Sequence, residues 1–196
     1  MDIPQFTEEQ GQLLVKLARR TLEEEFGLLP GQDADFLHAL GAPVFHEKWA
    51  TFVTLTLNGE LRGCIGNLEA CDSAVNSVRC NVRYAAFNDC RFSPLSKEEL
   101  AKIRVEVSVL TQSRKLEYRD AAELVSKLRP LVDGVILRKG GCSATFLPQV
   151  WEQLPEPESF LSHLCHKAGL PADCWCCDHP DILVYQVQKF KEETDS

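Results

Sequence analysis

The sequence lacks any apolar run approaching the roughly 20 residues that a membrane span needs, so no membrane partner is expected. It also lacks a basic start followed by an apolar stretch. The opening Met1-Asp2-Ile3-Pro4 gives no secretory signal, and a cytoplasmic protein is expected. Positive charge is in deficit: 21 Lys and Arg stand against 29 Asp and Glu, a formal net charge of −8. The basic residues are scattered, with Lys189 and Lys191 forming only a thin tail, which argues against nucleic acid, whose phosphates need clustered cations. There is no G-x-x-x-x-G-K-[ST], no H-E-x-x-H and no dinucleotide fingerprint after a strand. No G-x-S-x-G elbow is present either, and Lys139-Gly140-Gly141 is too short for a phosphate cradle. No cofactor is implied. Internal repeats and a clean domain linker are missing as well, so residues 1–196 are read as one domain, with a small subdomain allowed inside it.

Cysteine, by contrast, is abundant. Nine residues in a chain of 196 is an odd number, so at least one has no partner within the chain. In a reducing compartment disulfides are rare, and all nine are expected to be thiols. Each is then core filler, ligand or reactive group. Hydrophobic residues at 44% and charged residues at 26% are ordinary for a globular domain. A chain this long buries roughly 70% of its unfolded surface and is expected to need no metal or disulfide to fold.

Thr7-Glu8-Glu9-Gln10 fits a capping box, and Leu14, Leu17, Ala18 and Leu22 follow at helical spacing to an end near Gly27. A short helical turn is expected over Asp35 to Leu40. Ala50 to Leu57 and Glu60 to Gly66 read as a hairpin around Asn58-Gly59, a pair that favours a type I′ turn. A helix is expected from Asp72 or Ser73 to Phe87, with Val75, Val78, Val82 and Ala86 buried. Ile103 to Leu110 alternates as a half-buried strand. Beyond it come a helix over Asp120 to Leu128, strands at Gly134 to Leu137 and Ser143 to Leu147, a helix from Glu156 to Ala168 and one last strand over Ile182 to Phe190. Without a regular βαβ repeat, the fold class is α+β with an antiparallel sheet flanked by helices.

The segment Arg62-Gly63-Cys64-Ile65-Gly66 is the candidate site. A two-residue turn pairs Leu57 with Glu60, Leu55 with Arg62 and Val53 with Cys64, which sets Arg62 and Cys64 on one face. The flanking glycines mark a bulge or the close approach of another group. A thiol beside a guanidinium is a nucleophile or redox group. Arg62 equally makes an anion clamp. The third reading is a buried cysteine, with Arg62 paired to a structural carboxylate.

Leu61-Arg62-Gly63-Cys64-Ile65-Gly66 resembles the signature hexapeptide of the AMMECR family. Asp89-Cys90-Arg91-Phe92-Ser93-Pro94, Val105 to Leu110, Ala144 to Trp151 and Lys167 to Leu170 extend the resemblance over nearly the whole chain. Cys90 departs from the pattern, since proline is common after the aspartate. The resemblance implies an α+β fold whose smaller subdomain forms a cleft lined by the hexapeptide, with Asp89 and Arg91 joining the site. It also implies an accessory role beside Memo-like and radical-SAM partners. An enzyme using Cys64 as nucleophile, with Arg62 stabilising negative charge, is the alternative. A pure interaction scaffold is the third. Glu106 could orient Arg62 or act as a base, with solvent exposure the plainer expectation.

The C-terminal part offers a weaker metal set. Cys174, Cys177 and His179 have ligand-like spacing, but only one C-x-x-C exists. Cys165 falls on the apolar stripe of its helix and is expected in the core. His163 and His166 are expected at the surface, and Trp49, Trp151 and Trp175 in packing roles.

Overall fold

The computed structural model describes residues 6–28, 31 and 33–192 of the chain. The chain forms two compact units, one running to Leu110 and resuming at Gln188, the other spanning Thr111–Val187.

In the first unit, helix α1 (Glu8–Glu25) starts at a complete Thr7/Gln10 capping box. Two orphan N–H groups are satisfied there, and Gly27 at φ +71° turns the chain away at the other end. Asp33 caps α2 (Ala34–Ala39) through the Phe36 N–H at 3.0 Å. Strands β1 (Ala50–Leu57) and β2 (Glu60–Gly66) form the expected hairpin, with Asn58 at φ 53° and Gly59 at φ +86°. Both turn residues occupy the left-handed region that a type I′ turn requires. Ser73 caps α3 (Ala74–Phe87), and Ser96 with Glu99 forms a capping box for α4 (Lys97–Leu100). With β3 (Ile103–Leu110) and β8 (Val187–Lys191), the strands assemble in the order β2-β1-β3-β8.

Helix α3 lies over β1 and β2, and α1 over β3. Leu14, Leu17, Leu22, Val53, Leu55, Val78, Val82, Val105 and Val107 meet in one core. Each such aliphatic side chain contributes roughly 1.5–3 kcal/mol when removed from water. Val75 is the exception on the predicted helix face, packing at the margin. The expected half-buried alternation of β3 holds only in part, since Ser108 and Leu110 on its second face are buried too.

The second unit contains β4 (Arg114–Lys115), α5 (Ala121–Lys127), β5 (Gly134–Lys139), β6 (Cys142–Phe146), α6 (Pro157–Lys167), α7 (Cys174–Cys177) and β7 (Asp181–Tyr185). Its sheet runs β4-β7-β5-β6, and both sheets are antiparallel. The protein is thus α+β, as its composition of elements suggested. Trp151 stacks on Phe160 with ring centroids 3.7 Å apart and donates its indole N–H to the Asp133 carbonyl at 2.8 Å, centring this unit's core.

Two sequence expectations are corrected. The single last strand is two strands in different sheets. It breaks at Gln186, whose N–H goes to the Thr111 hydroxyl at 2.9 Å and whose carbonyl accepts the Thr111 N–H at 2.9 Å. A pattern of alternating apolar residues carries no record of which sheet each half joins. The second correction concerns the thiols: Cys165 and Cys174 are paired as a disulfide across α6 and α7, with Cα atoms 6.3 Å apart. The apolar stripe of α6 carries Cys165 inward to meet Cys174, and both are fully buried. The other seven cysteines are free. Among the described residues, no helix is long and apolar enough to cross a membrane.

Candidate functional site

The β1–β2 hairpin sets the site, with one departure from its simplest register. Leu57 pairs with Glu60, but Gly63 then faces Leu55, Cys64 faces Thr54 and Ile65 faces Val53. Arg62 is the extra residue of a β-bulge, and it displaces every later pairing by one. The expected pairs Leu55 with Arg62 and Val53 with Cys64 are therefore corrected. Because strand side chains alternate, the shift moves Cys64 away from the face of Val53 and Leu55, which pack under α3.

The glycines explain themselves at this register. A Cβ on Gly63 would lie 2.1 Å from the backbone carbonyl oxygen of Ala85 in α3. On Gly66 it would lie 2.2 Å from the Phe52 ring and 2.4 Å from the Thr51 carbonyl oxygen. Both expected causes of strand glycine, a bulge and a close approach, are present.

Arg62 is buried. Its Nε donates to Glu99 Oε1 at 2.8 Å and its Nη2 to Glu99 Oε2 at 3.0 Å, a bidentate pair. Nη2 also reaches the Pro94 carbonyl at 3.4 Å, and the guanidinium lies over the Phe92 ring, 5.9 Å from its centroid. Nη1 is buried without a hydrogen-bond partner. Arg62, followed by the Ser96 N–H, holds the Glu99 carboxyl down to about 2, and Glu99 in turn raises Arg62.

Cys64 is half-buried, and its backbone is held on both sides. Its N–H donates to Asp89 Oδ2 at 2.9 Å, and its carbonyl accepts from Arg91 Nη2 at 3.2 Å. Its sulfur accepts from the Thr54 hydroxyl at 3.3 Å, which fixes the side-chain rotamer. Asp89, only 5% exposed, receives Arg91 Nε at 2.9 Å and Nη2 at 2.7 Å. The Arg91 guanidinium, aided by the Cys64 and Arg91 N–H groups, holds the Asp89 carboxyl well below the ordinary carboxylate range against the effect of burial. Asp89 raises Arg91 correspondingly, and the Cys64 and Cys90 thiols add to that effect. The Arg91 side chain remains 52% exposed.

The predicted residues divide accordingly. Cys64, Asp89 and Arg91 converge, while Arg62 turns to Glu99. The guanidinium beside the Cys64 backbone is that of Arg91. Glu106 lies opposite Thr54 on β3 and pairs with Lys191 at 3.3 Å. Sequence reasoning missed Glu99 as the partner of Arg62, although Ser96-x-x-Glu99 was readable as a capping box. It also missed the buried polar cluster in which Asn81 Nδ2 meets the Thr51 hydroxyl at 2.9 Å and Asn67 Oδ1 at 3.1 Å. Ser77 joins through the Thr51 hydroxyl at 2.8 Å, and this cluster fastens α3 to the end of the hairpin. A separate groove of about 700 Å³, lined by Arg19, Glu23, Lys97 and Arg104 among others, shares no residue with the hexapeptide.

The weaker metal set does not converge. Cys174 is committed to Cys165, while Cys177 lies against Cys176 and Asp173. His179 stacks on Tyr118 at 4.2 Å and bonds the Tyr118 carbonyl through Nε2 at 2.9 Å. Among the described residues, no group of three or more His, Cys, Asp or Glu side chains is placed to hold a metal ion.

Comparison with known proteins follows the same residues. The AMMECR1 family profile matches residues 15–190. A Methanothermobacter thermautotrophicus protein is 38% identical over 186 residues, covering 94% of this chain and 95% of that protein. One from Saccharolobus solfataricus is 38% identical over 198 residues, covering 98% of this chain and 86% of its own length. The crystal structure of an uncharacterised Pyrococcus horikoshii protein superposes with a TM-score of 0.79 at 34% identity, covering 97% of this chain and 95% of that one.

Proposed function

The chain belongs to the AMMECR1 family, and on that premise we propose that its hexapeptide site recognises a small anion or a peptide carboxylate, as part of an accessory protein. The observation that carries this reading is the Arg91 guanidinium, half-exposed beside Cys64 and held in place by buried Asp89. Arg91 uses Nε and Nη2 on Asp89 and Cys64, which leaves the outward edge of a planar donor fork for a carboxylate or phosphate oxygen. Partial exposure lets a ligand arrive, and the Asp89 pair keeps the fork from collapsing when the site is empty.

The strand edge narrows the ligand class. β2 is the outer strand of its sheet, and such an edge ordinarily invites another strand. At Cys64 both outward backbone groups are already engaged by Asp89 and Arg91. A peptide is therefore read through a carboxylate, from a side chain or its C-terminus, rather than by strand addition. The accessory role and the Memo-like and radical-SAM partners rest on the family resemblance.

A second reading has one observation in its favour. The Thr54 hydroxyl donates to the Cys64 sulfur, so the thiol is held in one orientation, as a nucleophile or redox thiol would be. In that case Arg91, not Arg62, is the cation nearest the developing negative charge.

The test is an amide-resolved NMR titration of the full chain with citrate and with inorganic phosphate. Recognition predicts saturable shifts centred on Cys64 and Arg91, lost in Arg91→Gln, which removes the charge and keeps a donor for Asp89. Shifts spread over surface lysines and unchanged in Arg91→Gln would exclude it.

A further inference from the structure

The second unit carries sulfur chemistry that the hexapeptide site does not use. Cys165 on α6 and Cys174 at the start of α7 form a disulfide, and both are fully buried in the core around Trp151, Phe160 and Leu164. Two further thiols follow at once on the same four-residue helix. Cys176 and Cys177 are exposed, with sulfur atoms 3.7 Å apart. One short helix therefore joins a sealed disulfide to a surface dithiol.

The spacing decides which surface thiol addresses the bond. Residues three apart share a helix face, whereas residues two apart do not. Cys177 is therefore in register with Cys174, and Cys176 is not. Positions i and i+3 of a helix also fall within the roughly 4.4–6.8 Å Cα separation that a disulfide spans. A buried bond is closed to direct attack from solvent, because exchange requires a thiolate to approach one sulfur. Cys177, exposed at its own sulfur and one helical turn along from Cys174, is the free thiol that shares the helix with the sealed bond.

We propose that Cys165, Cys174 and Cys177 constitute a thiol–disulfide exchange site, in which Cys177 carries the buried disulfide to the protein surface. In the first step the Cys177 thiol loses its proton to water and its sulfur attacks Cys174 Sγ. The Cys174–Cys177 bond forms, the Cys165–Cys174 bond breaks, and Cys165 leaves as a thiolate that takes up a proton. No electrons are gained or lost. In the second step a small external thiol of the glutathione class attacks the exposed Cys177 sulfur, forming a mixed disulfide and releasing Cys174 as a thiol. A second external thiol resolves the mixed disulfide, leaving the protein dithiol and one oxidised external disulfide. The protein gains two electrons, and the external thiols supply them.

The neighbourhood sets the pace of the first step. Cys176, first, and then burial, Asp173 and Asp178 raise the Cys177 thiol above its ordinary value. Lys139 is paired with Asp178 and does not neutralise the Asp173 side. The exchange is therefore slow at neutral pH, and the resting form keeps its Cys165–Cys174 bond.

The experiment uses the full, oxidised, folded chain treated with reduced glutathione, with each cysteine followed by differential alkylation and mass spectrometry. In the wild type, Cys165 becomes free first and Cys174 follows it. In Cys177→Ser, reduction slows by about tenfold or more, while Cys176→Ser stays close to wild type. A second arm does not depend on how Cys177→Ser folds: Cys165→Ser exposed to oxidised glutathione places the disulfide between Cys174 and Cys177. The proposal is overturned if Cys177→Ser is reduced as fast as wild type. It is equally overturned if Cys174 stays unpaired with Cys177 in Cys165→Ser, or if Cys165 and Cys174 alkylate as free thiols before any reductant is added.

Discussion

Asp89 holds Cys64 by its backbone: the carboxylate accepts the Cys64 N–H at 2.9 Å, while the arginine that Asp89 anchors donates to the Cys64 carbonyl at 3.2 Å. Two side chains from one turn thus occupy the place that a neighbouring strand would take at the edge of β2. The arrangement ties the turn after α3 to the hexapeptide and leaves Arg91 facing outward.

Removing that carboxylate is costly. Asp89→Ala leaves the Cys64 N–H and the Arg91 guanidinium without their acceptor. A loss of about 2–3 kcal/mol is expected, below that for breaking a fully buried ion pair because Arg91 is half exposed. Urea unfolding of the variant against wild type measures it, and a change near zero would mean the ion pair is incidental.

The pH dependence of stability has a definite sign. Asp89 and Glu99 are both held below their ordinary values, Glu99 at about 2. A depressed carboxyl contributes stability above its unfolded pKa, about 3.9 for Asp and 4.3 for Glu, and loses it as pH falls toward the folded value. The urea midpoint should therefore drop from pH 5 down to pH 3, and drop less steeply in Glu99→Gln.

Gly63 admits no side chain. Alanine there sets Cβ 2.1 Å from the Ala85 carbonyl oxygen, a backbone atom in the last turn of the core-facing helix. Because a helix backbone does not shift cheaply, Gly63→Ala should destabilise the fold by about 2–3 kcal/mol. Gly59→Ala makes a useful contrast, since nothing crowds that position and the cost there is only the left-handed φ of +86°. Thermal unfolding of the two variants separates crowding from backbone strain.

Cys177 should label late. An ordinary thiol titrates at about 8.5, and the neighbouring Cys176 thiol, then the Asp173 and Asp178 carboxylates, raise this one. In a series of alkylation rates from pH 7 to pH 10, the Cys177 rate should reach its plateau at higher pH than that of an unperturbed thiol. A plateau below the ordinary value would contradict the electrostatic account of that helix.

Much of the fold was legible in the sequence because its signals are local. Thr7 with Gln10, Asn58-Gly59 and the Ser73 cap each set a boundary through bonds to residues a few positions away. The bulge at Arg62 was not legible in that way. It depends on how closely α3 crosses β2 at Ala85, a contact about 20 residues away along the chain, and a count back from the turn passes straight over it. The break at Gln186 and the meeting of Cys165 with Cys174 are likewise products of tertiary placement. At the site itself, the residue types were visible but their partnerships were not: Arg62 has Glu99, and Cys64 has Asp89 and Arg91.

The central claim is that the site recognises an anion through Arg91 and does not depend on the Cys64 thiol. The most direct measurement is the citrate and phosphate affinity of Cys64→Ser and of Arg91→Gln, compared by titration under identical salt. The account predicts that Cys64→Ser binds like wild type while Arg91→Gln loses saturable binding with its fold intact. Binding that survives in Arg91→Gln and disappears in Cys64→Ser would contradict it and make the thiol the working group.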